Sequence, residues 1–137
     1  MLDLTSLKQA VDALNRSLDI SVSELEALDP KIAEAVRAGV IQQFEVAYEL
    51  CWKFVQRWVR TNDAEASGQP RTRKELFRTA ARLGLVSDPA PWFEFGDARN
   101  LTTHTYNNLQ AELTCEIARR FLPHAVALVK ALESRSD

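Results

Sequence analysis

Apolar residues return every three or four positions along most of the chain, the spacing that gathers side chains onto one stripe of an α-helix. Leu4, Leu7, Val11, Leu14 and Leu18 form the first stripe, with Asp3 or Thr5 placed to cap it. The pattern loosens at Asp19-Ile20-Ser21, resumes at Val22, Leu25 and Leu28, and stops before Asp29-Pro30. A second stripe runs through Ile32, Val36, Val40, Phe44, Ala47, Cys51, Val55 and Trp58 to about Arg60. Tyr48, Trp52 and Val59 widen it, so this helix is expected to be covered on two sides, in a bundle's centre or between core and partner. Gly39 interrupts the stripe and is read as a place for a neighbour to approach closely.

Residues 61–70 are polar, rich in turn formers and poor in apolar groups, which marks a linker. Thr72-Arg73-Lys74-Glu75 reads as a capping box, followed by a short helix through Leu76, Phe77, Ala80, Ala81 and Leu83 that Gly84 ends. Asp88-Pro89 reads as an N-cap with a first-turn proline, opening a helix through Trp92, Phe95 and Arg99 towards Tyr106. Asn107-Asn108 can close that helix and cap the next, whose stripe is Leu109, Leu113, Ile117, Phe121, Leu128 and Leu132, with a kink expected at Pro123. The elements predict an all-α fold, an antiparallel up-and-down four-helix bundle with one additional short helix, forming a single domain over residues 1–137.

Composition narrows the function. With 46% hydrophobic and 26% charged residues the chain is neither disordered nor membrane-like, and it carries no apolar run near the length of a membrane span. The formal charge of −2 argues against a protein that grips duplex DNA through many phosphates. No metal site is expected, because Cys51 and Cys115 have no second ligand at metal spacing and neither histidine follows a glutamate by three positions. No cofactor motif is present either: glycine-rich phosphate loops are absent. A cytoplasmic protein with reduced thiols is the expectation.

The residues left to carry chemistry are Arg99-Asn100-Leu101-Thr102-Thr103-His104-Thr105-Tyr106. At about 100° per helical residue, Asn100 and His104 project from one side and Arg99, Thr103 and Tyr106 from an adjacent one. Trp92 and Phe95 lie along the Arg99 side, and this grouping predicts a surface covered by a partner chain or a ligand. An arginine holds a phosphate bidentately, a histidine exchanges protons near neutral pH, and an asparagine can orient either. The plainer readings are packing for Tyr48, Trp52 and Trp58, a structural role for His124, and solvated faces for the acidic residues and for the Arg71, Arg73, Lys74, Arg78, Arg82 group.

Two separated blocks give the chain a wider resemblance. Ile41-Gln42-Gln43-Phe44-Glu45-Val46-Ala47-Tyr48-Glu49-Leu50-Cys51-Trp52-Lys53, and the helix from Lys74 to Gly84 followed by Trp92 and the Arg99–Tyr106 octet, resemble the HEPN superfamily, specifically its nucleotidyltransferase substrate-binding subgroup. The resemblance covers nearly the whole chain. It implies a helical bundle that works as a homodimer, with the Arg–His helices of two subunits meeting at a composite cleft. It also implies a metal-independent ribonuclease that acts as the toxin of a toxin–antitoxin pair, with Arg99, Asn100 and His104 catalytic. A separate small nucleotidyltransferase would be the antitoxin and add AMP to Tyr106. In that chemistry the RNA 2′-hydroxyl attacks, His104 serves as base or acid, Arg99 holds phosphate oxygens, and Asn100 orients His104 or donates to phosphate. The alternative within the same resemblance is a non-catalytic subunit that binds substrate or nucleotide and scaffolds the nucleotidyltransferase.

Overall fold

The stripes become five helices in the computed structural model, which describes residues 2–20, 27, 29–63, 72–102 and 107–135. They are α1 (Thr5–Ile20), α2 (Pro30–Asn62), α3 (Arg73–Arg82), α4 (Ala90–Leu101) and α5 (Asn108–Arg135). No strand occurs among the described residues. The expected continuation of the first helix through Val22 and Leu25 falls at residues outside the description.

Short polar side chains set the helix ends. Asp3 accepts from the Thr5 amide at 3.0 Å, Asp29 from Lys31 at 3.0 Å, and Thr72 from Glu75 at 3.1 Å. The Asp88 carboxylate takes the Ala90 amide at 2.9 Å and Asn107 takes Gln110 at 2.9 Å. α3 closes as read from Gly84, which sits at φ +83°. The Leu85 amide bonds Ala80 O at 2.8 Å and the Gly84 amide bonds Ala81 O at 3.0 Å, a Schellman end.

Side-chain pairs give the directions. Lys8 at the start of α1 meets Glu133 at the end of α5 (3.1 Å), so these two helices are antiparallel. Arg37 O of α2 receives Cys115 Sγ of α5 at 3.8 Å, and Phe44 meets Phe121 at 5.2 Å, so α2 and α5 run the same way. α4 opposes both, since Ala98 and Leu101 at its end lie by Leu113 and Ile117 while Pro91 and Glu94 at its start lie by Pro123 and Arg120. α1, α2, α4 and α5 therefore alternate up and down, and α3 is the extra short helix, lying alongside the second half of α2 through Arg73–Glu49 and Arg82–Asp63.

An aromatic cluster centres on Phe121, with Phe44 and Phe95 edge-on at 5.2 and 5.3 Å and Trp92 edge-on at 5.8 Å. Phe77 of α3 stacks on Trp92 at 4.8 Å, so the cluster ties the short helix to α4 and α5. Each such ring pair adds about 0.5–1.5 kcal/mol beyond area burial.

Several expectations need correction. Trp92 and Phe95 are fully inside this cluster and do not form an outer surface beside Arg99; the aromatics are shared among α3, α4 and α5, so one helix's periodicity could not assign them. Gly39 meets nothing within 4 Å of an added Cβ, so no neighbour approaches there. Ile32 is exposed at the start of α2. In α5 the core face of the first half is Ala111, Cys115 and Ala118, while Leu109 and Leu113 face outward. Small side chains let α5 lie close against α2, and the leucines are left on the opposite stripe.

Candidate functional site: an arginine held between two glutamates

The long α2 and the short α4 meet in antiparallel register, and this brings one face of α2 opposite Arg99. Glu45 and Glu49 are four apart on α2, hence neighbours on one helical face. Arg99 Nε lies 3.3 Å from Glu49 Oε1, and Nη1 lies 4.0 Å from Glu45 Oε2. The approach of Nε is short enough for an ion pair, although its N–H is not aligned for a hydrogen bond and the atom is buried. Arg99 Nη1 also reaches the Thr102 hydroxyl at 3.4 Å, and that hydroxyl donates to Arg99 O at 2.6 Å. The guanidinium is 21% exposed and its Glu49 partner 24%, so the pair is half-desolvated and stronger than a surface bridge.

Glu49 does more than hold Arg99. Its Oε2 accepts the Trp52 indole N–H at 2.8 Å, and its two oxygens accept from Arg73 Nη2 at 3.1 and 3.4 Å. The Arg73 guanidinium lies 4.8 Å from the Trp52 ring centroid and 5.6 Å from that of Tyr48. One carboxylate thus organises two guanidiniums and an indole from α2, α3 and α4. Beneath it Tyr48 is buried, and burial pushes its hydroxyl up to about 12, with the Arg73 charge opposing that shift.

Of the residues picked from sequence, Arg99 points inward onto α2 and Asn100 lies exposed beside it on the last turn of α4. His104 and Tyr106 lie outside the described residues, so their distances to Arg99 are not part of this geometry. Glu45 and Glu49 correct the reading of the acidic residues as solvated faces, and Arg73 corrects the same reading of the basic group. The hint was in the sequence: Glu45, Tyr48, Glu49 and Trp52 share one flank of α2, and an arginine is needed to neutralise carboxylates placed there. Tyr48 and Trp58 are core packing as read, and Trp52 is half-buried against Arg73 and Glu49. His124 packs against the Phe95 ring at 5.3 Å.

Just beyond the arginine the surface is apolar. Leu101 is 65% exposed, Leu109 63% and Leu113 56%. Leu101 and Leu113 border a hollow of about 230 Å³ between α4 and α5, with Ile41 and Ile117 in its wall. Among the described residues, no group of three His, Cys, Asp or Glu side chains is arranged to hold a metal ion, and no helix is long and apolar enough to cross a membrane.

An antiparallel helical bundle with an arginine braced at the end of its fourth helix defines a class, and comparison with known proteins gives the family. Residues 2–134 match the family described as nucleotidyltransferase substrate binding protein like, and the chain belongs to it. It is 30% identical to a probable ribonuclease HepT of Haemophilus influenzae over 144 aligned positions, covering 99% of this chain and 95% of that one. A solved Haemophilus influenzae structure, described as showing the fold of a substrate binding domain of a nucleotidyltransferase, superposes with a TM-score of 0.84 at 27% identity, over 96% of this chain and 99% of the other.

Proposed function

We propose that this protein is a metal-independent endoribonuclease, the toxin of a toxin–antitoxin pair, and acts as a homodimer with Arg99, Asn100 and His104 at the subunit boundary. The observation that carries the reading is the bracing of Arg99. Glu49 and Thr102 fix the guanidinium at the end of α4 through Nε and Nη1, and none of these contacts uses Nη2. A pre-oriented guanidinium edge is what a phosphate needs, because little side-chain freedom is lost on binding. The name of the Haemophilus relative points the same way.

The dimer reading rests on Leu101, Leu109 and Leu113, which crowd the segment that carries the motif. A second copy seated there would cover the leucines and bring two arginines and two histidines into one cleft. RNA supplies its 2′-hydroxyl as nucleophile; His104 moves the proton and Arg99 stabilises charge on phosphorus. A separate nucleotidyltransferase that adds AMP to Tyr106 would place a bulky anion two residues from His104 and block the cleft. The nucleotidyltransferase named in the solved relative's description supports such a partner.

A second reading is a non-catalytic subunit that binds substrate or nucleotide for the nucleotidyltransferase. It is favoured by the two carboxylates that already balance the Arg99 charge. Purified protein, incubated with single-stranded RNA in EDTA, decides between the two. Expected products end in a 2′,3′-cyclic phosphate, and His104→Ala slows their formation by about 10²–10⁴-fold, the usual worth of general acid–base help. Equal cleavage by wild type and His104→Ala would leave the scaffold reading standing.

A further inference from the structure

Glu45 and Glu49 stand one turn apart on α2 and both face Arg99, yet they are used differently. Glu49 is fully engaged, because Arg99, Arg73 and the Trp52 indole share its two oxygens. Among the described residues Glu45 has Arg99 as its one charged partner, and the 4.0 Å from Oε2 to Nη1 is too long for a hydrogen bond. Its side chain is 30% exposed. A carboxylate held beside an arginine, reached by solvent and not hydrogen-bonded to that arginine, is left over for chemistry.

The width of the gap suits one small group. An oxygen about 2.7 Å from Oε2 and about 2.9 Å from Nη1, ordinary hydrogen-bond lengths, closes a triangle on the 4.0 Å side. One hydroxyl can therefore donate to Glu45 and accept from Arg99 at once. Nη1 has two N–H groups, of which Thr102 at 3.4 Å engages one. Nη2 is the edge left for a phosphate. A 2′-hydroxyl in the gap would stand next to the phosphate that it attacks.

We propose that Glu45 is the general base of RNA cleavage and His104 the general acid. The assignment rests on the ribonuclease reading and divides the proton transfers which that reading leaves to His104. Glu45 Oε2 takes the proton of the 2′-hydroxyl as the 2′-oxygen bonds to phosphorus. The bond from phosphorus to the 5′-oxygen breaks, and the His104 imidazolium gives that oxygen its proton. The products are a 2′,3′-cyclic phosphate and a 5′-hydroxyl, with Glu45 and His104 both left neutral. Charge favours this division. Arg99 and Arg73 balance Glu45 and Glu49, so the four groups sum to zero. Once Glu45 is protonated the sum is one positive charge, and it appears as further negative charge develops on the phosphorus oxygens. Protonating Glu49 instead would weaken the hydrogen bonds from Arg73 and Trp52.

The test uses the full-length protein and single-stranded RNA in EDTA, with a second RNA carrying sulfur in place of the bridging 5′-oxygen at the linkage that wild type cuts. Sulfur leaves without help from an acid, so this RNA bypasses the acid and not the base. Glu45→Gln, close to glutamate in shape, is expected to lower kcat/KM on both RNAs by about 10²–10⁴-fold. His104→Ala should lose a similar factor on the oxygen-linked RNA and regain most of it on the sulfur-linked one. Wild-type kcat/KM should fall towards acid pH, where the base takes up a proton, and Glu45→Gln should lack that fall. Glu45→Asp keeps a carboxylate and should keep the acid limb with a smaller loss, which preserves the test if the glutamine variant unfolds. Wild-type cleavage that Glu45→Gln leaves unchanged, or a slow Glu45→Gln that retains the acid limb, overturns the base role and leaves the ribonuclease standing. Recovery of Glu45→Gln rather than His104→Ala on the sulfur-linked RNA overturns it as well. Absence of cleavage by wild type removes the ribonuclease reading and the base role with it.

Discussion

Replacing Glu49 by glutamine tests whether one carboxylate holds the candidate site together. The substitution keeps the shape and one acceptor oxygen but removes the charge that Arg99, Arg73 and Trp52 share. Hydrogen bonds to charged groups contribute about 1.5–3 kcal/mol net. Two donors, Arg73 and Trp52, would lose that assistance and Arg99 its 3.3 Å ion pair, and among the described residues Glu45, at 4.0 Å, is the counter-charge left to Arg99. The remaining amide oxygen offsets part of the loss, and 24% exposure of Glu49 screens part of the rest. A destabilisation of about 2–3 kcal/mol follows. For a chain of 137 residues that lowers Tm by about 8–12 °C. Thermal unfolding followed by circular dichroism measures it. Glu116→Gln is the control, because its pair with Arg119 is a surface i,i+3 bridge worth about 0.3–0.5 kcal/mol. A double-mutant cycle with Arg99→Met and Arg73→Met should then give a coupling of at least about 0.5 kcal/mol for each pair. A Tm change no larger than the control's, with no coupling, would refute the network.

Tyr48 makes stability fall at high pH. Its folded value of about 12 exceeds the unfolded 10.0, so the folded state holds the proton longer and stability drops between those values, by roughly 1.4 kcal/mol per pH unit; a denaturant midpoint that falls as steeply in Tyr48→Phe as in wild type would show that the phenol is not the cause. At the leucine patch, Leu101→Asp and Leu113→Asp should convert a dimer to a monomer by sedimentation equilibrium with little loss of monomer stability, since both side chains are exposed; monomeric wild type at micromolar concentration would dismiss this interface.

How far the sequence could be read depended on what periodicity can and cannot distinguish. The helix starts and the end of α3 were readable because caps are local: Thr72 with Glu75, Gly84 and Asn107 each act within a few residues, whereas α4, expected to run towards Tyr106, ends at Leu101. Which apolar stripe faces the core was not local. In α5, Leu109 and Leu113 recur at the same spacing as Ala111, Cys115 and Ala118, and hydrophobicity alone favours the leucines. Packing against α2 reverses the choice, because the close approach at Arg37–Cys115 leaves room only for small side chains. The displaced leucines are then a second apolar stripe without a cover in the single chain. Trp92 and Phe95 failed in the opposite sense. Their burial is supplied by Phe77 of α3 and Phe121 of α5, residues 15 or more positions away from Trp92 that a helical wheel of α4 cannot display.

The two sequence blocks that carried the family resemblance turn out to meet in space. The first supplies Glu45, Tyr48, Glu49 and Trp52 from α2; the second supplies Arg99 from α4, and Arg73 of α3 locks onto the same carboxylate. An isolated guanidinium at this depth would be costly to desolvate, and two carboxylates facing each other along α2 would repel. Each group is tolerable only because the other is present, and this is the physical reason for both blocks to occur in one chain. The arrangement also separates two jobs that a lone Arg-x4-His pattern would confuse. Nε and Nη1 of Arg99 serve the fold, through Glu49, Glu45 and Thr102. Any contact with a phosphate has to come from the remaining edge of the same guanidinium. Lysine at position 99 could satisfy one of these jobs with its single ammonium but not both, so Arg99→Lys should retain the bundle while losing whatever Arg99 does for a ligand.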